Sequence, residues 1–158
     1  MNLALLSADL KRDEGYSPTV YKDSEGLWTV GIGFLVDPTR HGCGLTPVEC
    51  DLILHHRIAI VHGDLSNRLP WLPEAPEPVQ RALMNMAYQL GVVGLMRFTE
   101  TLELLRKRKY EDAARESLDS AWAVQTPARA QRMADLFRQA AWDQRTTTTT
   151  EGTETWKT

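Results

Sequence analysis

The chain has 158 residues, a formal net charge of −3, and 42% hydrophobic and 25% charged residues, which fits one soluble globular domain, with two lobes at most. A chain of this length buries about 68–70% of its unfolded surface, so neither a metal nor a disulfide is needed to fold it. The charge balance excludes a basic field that would gather nucleic acid or anionic membranes.

In chain order, Leu3, Leu5, Leu6 and Leu10 predict a short amphipathic helix that stops near Gly15. Val20, Tyr21, Trp28, Thr29, Val30 and Ile32 then favour strands, and Asp23-Ser24-Glu25-Gly26 is turn chemistry. This predicts a small antiparallel hairpin or three-stranded sheet. Residues 36–45, with Gly, Pro and Asp, are expected to form a loop. Thr46-Pro47-Val48-Glu49 marks a strong helix start, with Thr as cap, Pro in the first turn and Glu completing a capping box. That helix is expected to run to about Leu65, with Cys50, Ile53, Leu54, Ile58 and Val61 on one apolar stripe. Residues 69–78 are a proline-rich connection. Residues 79–142 follow a helical pattern, punctuated at Gly91, Gly94, Lys109 and Pro127.

The expected class is α+β: a small antiparallel sheet lobe and a larger helical lobe joined by a long helix. The single domain spans residues 1–143, with lobes of about 14–60 and of 1–13 plus 61–143. Residues 144–158 include five consecutive threonines and offer no apolar face, so they are expected to be disordered. No stretch nears the roughly 20 apolar residues of a membrane span. Residues 1–10 lack the features of a secretory signal, so the expectation is a protein held in the cytoplasm until something releases it.

Two carboxylates stand out. Glu14 ends the first helix, whose C-terminal partial charge disfavours an acid there. Asp23 lies in the hairpin turn and Thr29 on the returning strand. Taken singly they read as a solvated Glu, a turn Asp and a strand Thr. Together, a helix end beside a hairpin can put all three on the walls of one cleft. Two carboxyl groups flanking a glycosidic bond, one protonated and one ionised, are what glycoside hydrolysis requires.

At this point the chain resembles a family. Arg12-Asp13-Glu14-Gly15, Tyr21-Lys22-Asp23 and Trp28-Thr29-Val30-Gly31-Ile32-Gly33 are similar to the phage-type lysozymes, and the spacing Glu, eight residues, Asp, five residues, Thr is specific for them. Asn85-Met86-Ala87-Tyr88-Gln89-Leu90-Gly91 resembles the family's central helix. Trp122, Gln125-Thr126-Pro127, Arg129-Ala130, Arg132, Phe137-Arg138 and Trp142-Asp143 resemble its C-terminal segment. The likeness covers about residues 3–143 and is weakest over residues 36–79, where the chain is closer to the compact endolysins of lambdoid phages. Phe34 stands where the family commonly has His.

The resemblance implies a muramidase that hydrolyses the β-1,4 bond between N-acetylmuramic acid and N-acetylglucosamine of bacterial peptidoglycan, with inversion. Glu14 would protonate the leaving oxygen, Asp23 would activate or orient water, and Thr29 would place it. Arg129 would reach back to Glu14, and Gln89, Tyr88 and Trp122 would support the cleft floor. It further implies an endolysin for host cell lysis, a monomer on peptidoglycan glycan strands. It would bind no nucleic acid, would not insert stably in a membrane, and would reach the wall through a lesion made by a holin.

Other readings of the same residues are weaker. No cofactor is expected: Gly31-Ile32-Gly33 lacks the third glycine and following helix of a dinucleotide loop. No metal is expected either, because His41, Cys43, Cys50, His55, His56 and His62 lack tight ligand pairs. Cys43 and Cys50 are read as free thiols. Trp122 and Trp142, at helical positions, are expected in the core, whereas Trp28 and Trp71 are the better candidates for exposed stacking surfaces. A lytic transglycosylase would use the Glu alone, a non-catalytic wall-binding module would need none of the three residues, and a membrane-active protein has only the basic run at residues 106–109 in its favour.

Overall fold

The structure, a computed structural model, describes residues 3–37 and 44–151. It divides into two compact units, Met1–Leu54 and His55–Thr158.

The first unit begins with α1 (Leu3–Glu14). Gly15 follows at φ +75°, the left-handed conformation in which a helix commonly ends and which glycine adopts without strain. Three antiparallel strands come next in the order β1-β2-β3: β1 (Ser17–Lys22), β2 (Trp28–Gly31) and β3 (Phe34–Leu35). Tyr21 faces Thr29 and Lys22 faces Trp28, while the register shifts between Ser17 and Tyr21. Pro18 sits in that irregular stretch of an edge strand, where its missing N–H breaks no ladder. The turn expected at residues 23–26 is present. Gly26 N–H donates to Asp23 O at 3.0 Å, and Asp23 N–H donates to Leu27 O at 3.0 Å. Residues 1–13 were assigned above to the helical lobe, whereas α1 clusters with the sheet.

Helix α2 (Pro47–Arg68) carries the boundary between the units. Its start is the expected capping box. Thr46 N–H and Oγ1 donate to Glu49 Oε2 at 2.7 and 2.8 Å, and Glu49 N–H donates back to Thr46 Oγ1 at 3.3 Å. The Thr46 N–H first, and its hydroxyl second, hold the Glu49 carboxyl below its ordinary value of 4.5. A depressed value means that this stabilisation is full above pH 4.5 and fades as pH falls through the folded-state value. Thr46→Ala should therefore lower stability by about 0.5–2 kcal/mol near neutral pH. The difference in melting temperature from wild type should shrink below pH 4.5, and a difference independent of pH would contradict the cap's ionic part. The apolar stripe expected on this helix is not buried. Cys50, Ile53, Leu54 and Ile58 are exposed and only Val61 packs against the core. Leu3, Leu5, Leu6 and Leu10 of α1 are exposed as well.

The hydrophobic core lies in the second unit. After a 3-10 turn at Leu72–Glu74 come α3 (Glu77–Leu90), α4 (Val92–Leu95), α5 (Thr99–Arg106), α6 (Tyr110–Leu118), α7 (Ala121–Gln125) and α8 (Pro127–Glu151). Helix α8 packs against α3 and α6, and α5 packs against α6. Ala130, Met133, Ala134, Phe137, Ala140 and Ala141 form its buried stripe at helical spacing, and Val79, Ala82, Leu83, Met86 and Ala87 form that of α3. The alanines let helix axes approach closely, so the large side chains between them fill the space. Phe137 is wholly buried. Phe137→Ala should cost about 3–5 kcal/mol, read as a lowered denaturation midpoint. A loss below about 1 kcal/mol would mean that this core is not the one the protein uses.

Gly91 at φ +70° ends α3, Lys109 precedes α6 and Pro127 opens α8, all as expected, but Gly94 lies inside α4, and further breaks fall at Phe98 and Ser120. Ser120 caps α7 by accepting from the Ala123 N–H at 3.1 Å. Trp142, expected in the core, is 63% exposed, because the α8 stripe passes through Ala140 and Ala141 and leaves residue 142 on the outer face. The threonine run, expected to be disordered from residue 144, continues α8 to Glu151. Extending an existing helix avoids the costly nucleation step, so modest propensity suffices. Residues 152–158 lie outside the described residues.

Candidate active site

Within the first unit, Glu14, Asp23 and Thr29 line one concavity of about 520 Å³, together with Asp13, Tyr21 and Glu25. Glu14 is there because Gly15 turns the chain away directly after it. The carboxyl group is thus the last side chain of α1, and it is exposed.

Asp23 is held more tightly. Its Oδ1 accepts from the N–H groups of Glu25 and Leu27, both at 2.9 Å. This is the side-chain turn that Asp forms where the backbone doubles back. Its Oδ2 accepts from Thr29 Oγ1 at 3.2 Å. One carboxylate oxygen is therefore fixed by the turn, and the other carries lone pairs beyond the one threonine bond. The facing of Tyr21 and Thr29 across the strands places this hydroxyl: Thr29 is 3% exposed, and its Oγ1 also lies 3.3 Å from Leu27 O.

Asp37 also steadies this strand, a role that sequence reasoning missed. Its buried carboxylate accepts from the Trp28 N–H at 3.1 Å. In sequence it is only an Asp in a loop, and a bond spanning nine residues leaves no local signal. Trp28 is half exposed as expected, but Lys22 Nζ stands 5.1 Å from its ring centroid. That cation–π contact occupies a surface which sugar stacking would otherwise use. Phe34, in the position where the family commonly has His, is 52% exposed and pairs with Val30.

The remaining expected residues lie in the second unit. Trp122 is 5% exposed, donates from Nε1 to Gln89 Oε1 at 3.0 Å, and meets Phe98 edge-on with ring centroids 5.9 Å apart. Tyr88 is exposed beside Gln89. Arg129, expected at Glu14, donates from Nε and Nη2 to the side chain and backbone carbonyls of Asn85 at 2.8 and 3.1 Å. A concavity of about 480 Å³ adjoins Trp122 and Phe98, lined also by Arg97, Glu100, Glu116 and Asp119.

Among the described residues, no group of three or more His, Cys, Asp or Glu side chains is placed to hold a metal, and no helix is long and apolar enough to cross a membrane. Cys50 is a free, exposed thiol, while His41 and Cys43 lie outside the described residues.

Two carboxyl groups and a hydroxyl on one concavity are the equipment for cleaving a glycosidic bond, and the sequence around them matches a known family. The phage lysozyme family model matches residues 11–141. The chain belongs to the phage lysozyme family. It is 27% identical over 154 residues to a protein of Dictyostelium discoideum named probable T4-type lysozyme 1, a match covering 81% of this chain and 90% of that one. Probable T4-type lysozyme 2 of the same organism is 28% identical over 153 residues. The pre-baseplate central spike protein Gp5 of Enterobacteria phage T4 is 29% identical over 148 residues, 78% of this chain but 26% of that longer one. This lysozyme is a glycoside hydrolase with a lysozyme-like α+β fold, and its general role is cell-wall hydrolysis.

Proposed function

We propose that this lysozyme hydrolyses the β-1,4 bond between N-acetylmuramic acid and N-acetylglucosamine in bacterial peptidoglycan, and that it serves as a phage endolysin in host cell lysis. The observation that supports this most is the shared concavity of Glu14, Asp23 and Thr29.

In this reading, the Glu14 carboxyl transfers its proton to the glycosidic oxygen as the bond from that oxygen to the sugar C1 breaks. Positive charge builds on the ring, and the Asp23 carboxylate stabilises it. A water held by Asp23 Oδ2 and the Thr29 hydroxyl adds to C1, and Asp23 takes up its proton. Solvent then returns Glu14 to the acid form and Asp23 to the carboxylate. Inverting enzymes hold the two carboxyl groups roughly 6.5–9.5 Å apart to admit that water. The turn bonds on Asp23 Oδ1 suit this role, since a fixed carboxylate orients water without reorganising during the reaction. Tyr88, Gln89 and Trp122 are proposed to support the glycan, the last two as a hydrogen-bonded pair.

A non-catalytic wall-binding module would not need Asp23 turned toward Thr29. A lytic transglycosylase would leave the water and Asp23 without a task. The substrate test is direct: the purified protein should release reducing sugar ends from purified peptidoglycan, whereas new free amines would indicate a peptidase. The endolysin role also places the enzyme in the host cytoplasm, as a monomer, until a holin-type pore opens. Expressed alone in a bacterium, it should accumulate without lysis and clear the culture within minutes of permeabilising the inner membrane. Prompt lysis with an intact membrane would contradict that order of events.

A further inference from the structure

The β2–β3 hairpin contains two glycines in the left-handed region, Gly31 at the end of β2 at φ +70° and Gly33 in the turn at φ +68°. Their surroundings differ. A Cβ at Gly31 would lie 2.8 Å from Cδ2 of the exposed Phe34 ring. A Cβ at Gly33 would lie 2.9 Å from Glu14 Oε2, 3.4 Å from its Cδ and 3.5 Å from its Cβ. The space a side chain at Gly33 would need is therefore taken up by the Glu14 side chain, most tightly by its carboxyl group.

We propose that Gly33 is a positioning residue for Glu14: its lack of a side chain sets where the acid's carboxyl group comes to rest. This rests on Glu14 being the general acid. The physical case begins with the nature of the contact. A methyl group inserted here would overlap the far end of a flexible side chain, not a packed backbone. Glu14 is exposed, and a second concavity of about 630 Å³, lined by Leu3, Leu6, Leu10, Ile32 and Phe34, also opens on Glu14 and Gly33. The carboxyl group therefore has room to swing aside, and relief of the overlap disturbs the fold little. It disturbs the chemistry much more. Proton transfer needs the acid within about 2.6–3.2 Å of the glycosidic oxygen, and a misplacement of about 1 Å can lower the rate 10²-fold.

Gly31 is the matched control, because alanine there suffers the same left-handed strain two residues away in the same hairpin while meeting only Phe34. Gly33→Ala and Gly31→Ala should both melt a few degrees below wild type. On soluble peptidoglycan well below the melting temperature, Gly33→Ala should lose at least about tenfold in kcat with KM within about threefold, while Gly31→Ala keeps both within about threefold. With the glutamate carboxyl carbons labelled by 13C, the Glu14 resonance should move in Gly33→Ala and stay in place in Gly31→Ala. Equal kcat losses in the two variants, an unmoved Glu14 resonance, or loss of cooperative melting in Gly33→Ala would each overturn the proposal, the last by showing that Gly33 serves the fold. If wild type itself releases no reducing ends, the functional reading fails, and the resonance still decides whether Gly33 places Glu14.

Discussion

Glu14→Gln should abolish turnover while the protein stays folded. Glutamine keeps the size and shape of the side chain but has no proton to give the leaving oxygen. One positioned general acid typically contributes about 10²–10⁴-fold, so clearing of a peptidoglycan suspension should slow by at least about a hundredfold. Stability should hold or rise slightly, for two reasons. Glu14 is exposed and ends α1, where the helix's negative end disfavours a carboxylate. Charges kept for catalysis are also often a cost to the fold. Clearing by Glu14→Gln at nearly the wild-type rate would remove Glu14 from the mechanism.

The second large effect is expected at Asp23. In Asp23→Asn the amide oxygen can still accept the turn bonds from the Glu25 and Leu27 N–H groups, so this variant should fold. The atom facing Thr29 then becomes an amide NH2, a donor where a donor already points. Neither the negative charge nor the base for water survives, and a loss of about a hundredfold or more should follow. Asp23→Ala should lose as much activity and also loosen the turn, since both bonds on Oδ1 disappear. The comparison to make is clearing rate against melting temperature for the two variants. A loss smaller than about tenfold in Asp23→Asn would be too little for the assigned role.

Much of the site was legible because it is built from local chemistry. Glu14 before Gly15, the turn at residues 23–26 and the Thr46–Glu49 box all depend on neighbours within a few positions, and such signals survive in sequence. Strand-favouring residues and turn chemistry were enough to predict a small antiparallel hairpin or three-stranded sheet, and the sheet has three strands. What was not legible depends on distant partners. The bond from Arg129 to Asn85 spans 44 positions and that from Trp122 to Gln89 spans 33. Periodicity predicts an apolar stripe on α2, but it says nothing of whether a partner covers that stripe, and most of it is exposed. Trp142 looked like core because it is large and helical, while the small residues beside it, Ala140 and Ala141, are the ones that face inward. Ser120 was a readable cap that went unused. Gly33 carried no signal of its closeness to Glu14, because the meaning of a glycine lies in what would touch its missing side chain.

The central claim is that Glu14 and Asp23 together hydrolyse a glycosidic bond by adding water. The most direct measurement is mass spectrometry of the muropeptides released from purified peptidoglycan in H2 18O. The account predicts reducing N-acetylmuramic acid ends that carry one 18O at C1, and their disappearance with either Glu14→Gln or Asp23→Asn. Products ending in 1,6-anhydro-N-acetylmuramic acid without 18O would contradict it, because they form when the sugar's own hydroxyl, not water, attacks C1.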